Sequence, residues 1–267
     1  MESRDLEKKR VLFTIGRMNP PTPGHKELIQ QMMTDAVDNN VQSIYIILSS
    51  TTGDEKNPLE CEEKRFILYG GMIDHVKTEL AANGKNSQNV KVEVLCMDDP
   101  IPPEFGNSPV IRCVNYILRT LNPDEIDSVN IYLGDNEQHK FDWIQQYIPY
   151  KLTSIGVSRP PGDISATELR NLTINDKQRF DRAMLNLASG KYNKDQLDNL
   201  YENRVYEFVE HMMDIGIHRD EALEFYKTIG DVVNQSKGGR KSRKKRRGKS
   251  KTKKRPGRKS RAKSSKR

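Results

Sequence analysis

The sequence predicts an α/β fold: a parallel sheet with helices on both faces, a C-terminal helical cap and a disordered basic tail. Short apolar, β-prone runs alternate with segments of helical periodicity. Strands that alternate with helices form right-handed βαβ units, which place the strands parallel. The composition then changes abruptly after Ser236. The predicted strands are Val11–Ile15, Ser43–Leu48, Lys91–Met97, Ser128–Leu133 and Leu152–Val157.

The first predicted strand leads into a Gly/Pro-rich turn and a helix. Gly16 breaks the strand, and Thr22 stands before Pro23, as expected of an N-cap followed by proline at the first helical position. Gly24 and His25 then fall at the second and third helical positions, where unpaired backbone N–H groups and the helix dipole attract anions. Because glycine lets a ligand approach the backbone, this is a phosphate site in outline. The alternative to a phosphate site is a helix N-cap followed by a surface histidine with no ligand.

One later residue is a candidate for ligand contact at the carboxyl ends of the strands, where parallel sheets bind ligands. Asp135 follows the fourth strand, where its carboxylate can accept a hydrogen bond from a ribose hydroxyl or cap its own loop. Lys64 lies in a helical pattern over residues 58–80, and the residues alone predict a solvated helix face for it. Further helical patterns cover residues 110–121 and 137–147, and the only tryptophan, Trp143, is expected in the core.

A second well-capped helix start lies about 140 residues after the first, in the segment Ile164–Arg170, ISATELR. Ser165 and Glu168 have the spacing of a capping box, and Arg170 follows about one turn into the helix. Taken alone, the segment predicts only a capped helix.

The two helix starts together resemble the signature pair of the nucleotidylyltransferase superfamily, (His/Thr)-x-x-His and ISxTxxR. The wording of the motifs, GRMNPPTPGH and ISATELR, looks closest to nicotinamide-mononucleotide adenylyltransferase-like proteins of viral or phage type. The resemblance covers residues 11 to 187. The residues that carry it are Gly16, Arg17, Asn19, Pro20, Thr22, Gly24, His25, Ser165, Thr167 and Arg170.

The resemblance implies a Rossmann-like domain and a role for each motif residue. Thr22 and His25 would be catalytic, with His25 bonded to the α-phosphate of a nucleoside triphosphate. Arg170 would hold the β- and γ-phosphates as pyrophosphate leaves, because a planar guanidinium suits them better than an ammonium. The expected binding residues are Gly16, Arg17, Gly24, Lys64, Asp135, Ser165 and Thr167. Mg²⁺ would bridge the phosphates largely through water, so no protein metal ligands are expected.

The expected activity is transfer of a nucleotidyl group, first of all adenylyl from ATP, to a phosphorylated acceptor such as a mononucleotide, with release of pyrophosphate. The nearest enzyme alternative is a cytidylyltransferase that makes a CDP-linked precursor. The alternative of another class is a nucleic-acid-binding protein on a nucleotide-binding fold. Intact phosphate motifs favour the enzymes, since a pure binding module has no use for both.

The cysteines and the hydropathy pattern predict an intracellular protein, cytoplasmic or nuclear. Three unclustered cysteines, Cys61, Cys96 and Cys113, favour a reducing compartment over a disulfide scaffold or a zinc site. The sequence contains no run of 18 apolar residues, so it predicts no membrane span, and the charged N-terminus does not fit a secretory signal.

Charge divides the chain into an acidic body and a basic tail. Of the 45 basic residues, 19 lie in residues 237–267 with no acidic residue, which leaves a net charge of about −11 on residues 1–236. Three parts are predicted: a Rossmann-like domain over 1–175, a helical extension packed on it over 176–235, and a disordered tail over 236–267. Lys/Arg runs of this density are typical of segments that bind nucleic acid or another polyanion, or that act as nuclear signals.

Overall fold

A computed structural model describes residues 9–173 and 194–247, without side chains for 194–203 and 236–247. Its core is a five-stranded, all-parallel sheet in the order β3-β2-β1-β4-β5, which confirms the predicted fold class. β1 pairs with both β2 and β4, so the order of the strands along the sheet reverses beside β1. Sheets of this kind bind ligands next to such a reversal, at the carboxyl ends of the strands. The strands are β1 Lys9–Gly16, β2 Ser43–Leu48, β3 Lys91–Cys96, β4 Ile126–Gly134 and β5 Lys151–Val157.

Seven α-helices are described, numbered here in chain order. Thr22 is the N-cap of the first, in extended conformation, with Pro23 opening the helix as predicted. The helices are α1 Pro23–Asp38, α2 Cys61–Ile67, α3 Ile73–Ala82, α4 Pro109–Thr120, α5 Ala166–Leu172, α6 Lys194–Asp214 and α7 Arg219–Arg247. A π-helical turn, Leu68–Met72, joins α2 to α3, so the helix predicted over 58–80 has three parts.

The prediction of a helix over residues 137–147 is wrong. Two short 3-10 turns, Asp135–Glu137 and Asp142–Tyr147, take its place. Ile144 is the one buried residue of the second turn, so the segment has no apolar stripe that could hold a longer helix on the sheet. Trp143 is 39% exposed and packs edge-on against Tyr147, which corrects its expected core position.

The core has two layers, one on each face of the sheet. Along β1, Leu12 belongs to the layer beneath α1 and α3, whereas Val11 and Phe13 belong to the layer beneath α4. Both faces are covered, which explains why the strands read as continuous apolar runs rather than alternating patterns.

The C-terminal helices share the first of these layers. Phe208 and Met212 of α6 and Phe225 and Ile229 of α7 are buried in the same cluster as Ile29 of α1. The boundary expected at residues 175 and 176 lies outside the described residues. Helix α7 runs on to Arg247, into the segment for which the composition predicts disorder, and disorder of the tail stays a prediction. Lysine and arginine are good helix formers, and they extend a helix that the core has already nucleated.

A disulfide joins Cys61 to Cys96, with 6.1 Å between their Cα atoms, and the expectation of unpaired cysteines is wrong. Cys61 opens α2 and Cys96 ends β3, so the bond depends on how α2 lies against β3, which 35 residues of spacing do not reveal. The cysteines therefore do not favour a reducing compartment. Cys113 is free and buried, and burial raises its pKa to about 11. Among the described helices, none is long and apolar enough to cross a membrane.

Candidate active site

A cleft of about 610 Å³ opens at the carboxyl ends of β1 and β4, where the strand order reverses. The turns after β1 and β4, the segment after β5 and the start of α5 form its walls. The cleft brings together eight of the ten residues predicted for the site: Gly16, Arg17, Gly24, His25, Asp135, Ser165, Thr167 and Arg170. Thr22 and Lys64 do not line it.

His25 is held in one orientation by the cap of its own helix. The backbone N–H of Thr22 donates to His25 Nδ1 at 3.0 Å, and Thr22 Oγ1 lies 2.8 Å from the same nitrogen. A nitrogen that accepts a backbone proton carries none itself, so the neutral ring has its proton on Nε2. Thr22 is fully buried and does not line the cleft, and its contacts with the ring hold His25 in place.

The surroundings of His25 keep it uncharged near neutral pH. Burial, followed by the positive charge of Arg159, lowers the pKa of His25 to about 4, against a weaker opposing effect of Glu137. A neutral imidazole with a free Nε2–H is a hydrogen-bond donor in the wall of the cleft. It can stabilise negative charge on a phosphate oxygen without itself becoming an ion.

Arg170 is a buried cation that also lines the cleft and is only 8% exposed. Its guanidinium donates to the backbone carbonyl of Asn19 and, at 3.0 Å, to Thr167 Oγ1. Burial, then the charge of Arg17, lowers the pKa of Arg170, which remains protonated. Among residues 9–173 and 194–247, no salt bridge to a carboxylate engages Arg17, Arg159 or Arg170. Cations without a carboxylate partner in a cleft favour an anionic ligand.

Asn19, noted in the sequence only through the resemblance, ties the walls of the cleft together. Its side-chain amide donates to the Leu59 carbonyl at 2.8 Å and accepts from the Leu59 N–H at 3.0 Å. Its own carbonyl accepts from Arg170. Asn19 is 2% exposed and follows Met18, whose φ of 42° is unusual for a residue with a side chain. One buried residue therefore fixes the turn after β1, the approach to α2 and the Arg170 guanidinium.

Lys64 is placed differently from its prediction. It is fully buried, its ammonium donates to the Ser49 carbonyl beyond β2, and burial lowers its pKa to about 8. The alternative for Lys64, a solvated helix face, is wrong, because this face of α2 is buried. Lys56 lines the cleft instead. Lys64 thus supports Ser49, which lines the cleft, and does not reach the cleft itself.

Arg159 was not recognised in the sequence. It lines the cleft two residues beyond β5, next to the start of α1. A Cβ atom on Gly24 would lie 2.9 Å from Arg159 Nε, so the absence of a side chain at position 24 makes room for this guanidinium. The available signal was positional, since a cation just past the carboxyl end of a parallel strand faces the ligand edge of the sheet.

The carboxylates of the cleft are those of Asp135 and Glu137, both in the turn after β4. Asp135 accepts a hydrogen bond from the Ser158 hydroxyl, and Glu137 pairs with Lys140 at 2.8 Å. Oxygen donors of this kind suit Mg²⁺, and so few of them fit an ion held mainly by phosphates and water. In the described ranges, the clusters able to hold a metal both contain Cys96, which is bonded to Cys61, and neither includes a residue of the cleft.

The chain is similar to known proteins only at low sequence identity. No family model and no curated protein matches the chain. Two solved structures of a bifunctional NMN adenylyltransferase/ADP ribose pyrophosphatase from Francisella tularensis are similar to it. The one complexed with AMP and a Mn ion is 17% identical, with a TM-score of 0.37 over 77% of this chain and 56% of that one. The other is 16% identical, with a TM-score of 0.36 over 78% and 57%. The chain thus spans little more than half the length of these structures, and similarity at this level carries no argument about activity.

Proposed function

We propose that the chain transfers an adenylyl group from ATP to a phosphorylated acceptor, such as a mononucleotide, with release of pyrophosphate. The observation that carries the proposal is the pairing of a neutral His25 donor with the Arg170 cation in one cleft at the reversal of the strand order. The two come from motifs about 140 residues apart. Their convergence is what a reaction between two phosphates requires.

The acceptor phosphate is the nucleophile in this proposal. A phosphate is already nucleophilic at neutral pH, so the protein must align it with the α-phosphate and compensate the charge that builds on the phosphoryl oxygens. No activated thiol is needed, and Cys113 is unsuited because it is buried and its pKa is raised to about 11.

His25 and Arg170 divide the charge compensation between them. His25 Nε2–H donates to an α-phosphate oxygen, and this bond strengthens as charge develops in the transition state. Arg170 holds the β- and γ-phosphates, with the hydroxyls of Ser165 and Thr167 at the start of its helix. Arg17 and Arg159 add positive charge on either side of the cleft.

The remaining predicted residues shape the ligand's path. Gly16 and Gly24 leave the backbone open beside the phosphates. The Asp135 carboxylate, at the end of β4, accepts a hydrogen bond from a ribose hydroxyl. Mg²⁺ bound with the triphosphate would neutralise part of its charge, and Asp135 and Glu137 are the carboxylates near enough to assist through water.

The alternatives differ in the ligand rather than in the cleft. A cytidylyltransferase would use the same phosphate contacts with another base. A nucleic-acid-binding protein would have no need for a neutral histidine donor and a buried arginine in the same cleft.

A crossed assay of pyrophosphate release separates these functions. ATP and CTP are each combined with mononucleotides and with phosphorylated lipid or polyol precursors, in the presence of Mg²⁺. We expect release with ATP and a mononucleotide. Release confined to CTP would favour the cytidylyltransferase, and no release in any combination would contradict nucleotidyl transfer.

A further inference from the structure

The C-terminal part of α7 carries a dense positive charge that the proposed reaction does not use. Eight of the eleven residues from Lys237 to Arg247 are lysine or arginine, and none is acidic. These residues belong to the same continuous helix as Phe225 and Ile229, which are buried in the core.

This part of the helix has no means of burying an apolar face. From Asn234 to Arg247 it contains no hydrophobic residue, so an apolar groove or a membrane interface would gain nothing from it. Successive positions of a helix are rotated by about 100°, so the eight cationic positions do not fall on one stripe of the helix. A partner must therefore recognise charge.

The charge spacing fits a nucleic acid backbone. Eleven helical residues span roughly 16 Å at 1.5 Å each, which gives about one positive charge per 2 Å. Double-stranded DNA carries one phosphate charge per ~1.7 Å of its axis. We propose that residues 237–247 of α7 bind the phosphodiester backbone of double-stranded nucleic acid without sequence preference. This binding is a function separate from nucleotidyl transfer.

The helix is fixed to the body next to the helix that carries Arg170. The Tyr226 hydroxyl donates to the Leu172 carbonyl at 3.3 Å. A Cβ atom on Gly230 would lie 3.1 Å from the Thr173 carbonyl oxygen, so α7 approaches the end of α5 closely at this glycine. The basic residues follow within about 21 Å of Val233, the last core residue of the helix. Bound nucleic acid is thus held at a set distance from the body rather than on a loose tether.

Two matched variants of the full chain test the proposal. The first replaces seven helical cations by glutamine, which keeps helix propensity: Arg240, Lys241, Arg243, Lys244, Lys245, Arg246 and Arg247. The control replaces seven cations further along the chain in the same way: Lys251, Lys253, Lys254, Arg255, Arg258, Lys259 and Arg261. Binding to a mixed-sequence 30-base-pair DNA duplex is measured at several salt concentrations, and unfolding midpoints verify that both variants are folded.

The helix variant is expected to lose at least about tenfold more affinity than the control. The slope of log affinity against log salt should fall by several units in the helix variant, up to about 6 if all seven cations contact phosphates. Equal losses in the two variants would overturn the proposal, because total charge rather than the helix would then determine binding. Unchanged DNA affinity in the helix variant with altered nuclear accumulation would also overturn it, in favour of a signal read by a protein receptor.

Discussion

At the scale of single residues, His25 has the most clearly defined chemistry. The Thr22 backbone fixes its tautomer, and its surroundings keep it neutral. We predict that His25→Ala folds normally but loses on the order of 10²–10³ in turnover, as expected for one preorganised donor at a developing oxyanion. His139→Ala, at an exposed histidine that contacts Asp142, is the matched control and should retain full turnover in the pyrophosphate assay. Near wild-type turnover of His25→Ala would remove His25 from the site.

The lowered pKa of His25 also predicts a pH dependence of stability. The folded value is about 4 and the unfolded value about 6.5, so between these limits the unfolded chain binds a proton that the folded chain does not. The free energy of unfolding should therefore fall as pH drops from 6.5 towards 4. Urea denaturation across this range should show that the free energy of unfolding depends less on pH in His25→Gln than in the unchanged protein. Identical pH dependence in both would contradict the neutral histidine.

Arg170 is predicted to be irreplaceable by lysine. Arg170→Lys keeps the charge but loses the bidentate geometry, and one charge-assisted hydrogen bond is worth about 1.5–3 kcal/mol, or roughly 10- to 100-fold in turnover. Arg119→Lys, which removes a guanidinium stacked on Phe105, serves as the control and should retain activity. Equal turnover and equal pyrophosphate inhibition in Arg170→Lys and the unchanged protein would exclude the clamp.

Residues within a motif were predictable from the sequence, whereas those that depend on the packing of distant segments were not. Gly24, His25 and Arg170 occupy helix starts whose local signals fix their positions. Lys64 was misplaced because a helix's orientation on a sheet is a tertiary property. Arg159 was missed because its proximity to Gly24 arises only when β5 and α1 come together.

At the scale of elements, the disulfide connects α2 to the end of β3. Closing a loop of this length removes conformational freedom from the unfolded chain and is worth about 3–4 kcal/mol in the chain-entropy model. We predict that a thiol reductant lowers the free energy of unfolding by about this amount, as measured by urea denaturation. Cys113→Ser should show the same loss of unfolding free energy on reduction, since Cys113 is outside the bond. Alkylation of all three cysteines in denaturant without reductant would show that the bond is absent.

The sequence also predicted the strands more closely than the helices. All five strands were placed, because buried parallel strands leave continuous apolar runs. The segment from Asp135 to Tyr147 looked helical but has a single buried anchor, Ile144. Composition alone could not place the end of α7, because the helix that precedes residues 236–247 is formed by packing of its earlier part.

At the scale of the whole molecule, the acidic body and the basic C-terminal segment are predicted to be functionally separable. A protein that ends at Ser236 keeps Tyr226 and Gly230, whose contacts hold α7 to the end of α5, and every residue assigned to the cleft. We predict that its turnover and KM in the pyrophosphate assay match those of the full chain within about twofold, while salt-sensitive DNA binding is lost. A large fall in turnover would show instead that the basic segment contributes to the cleft.

The strand order has a consequence for biosynthesis. The central strand β1 is made first, but its second neighbour, β4, follows more than 100 residues later. A growing chain can therefore pair β1 with β2 and β2 with β3, and position His25, while the opposite wall is still missing. Arg170 leaves the ribosome last of all the cleft residues. During synthesis the half-formed sheet exposes an unpaired edge of β1, and unpaired edges of this kind promote association between chains. Translation speed between Gly16 and Gly134 thus sets how long each new molecule carries that edge.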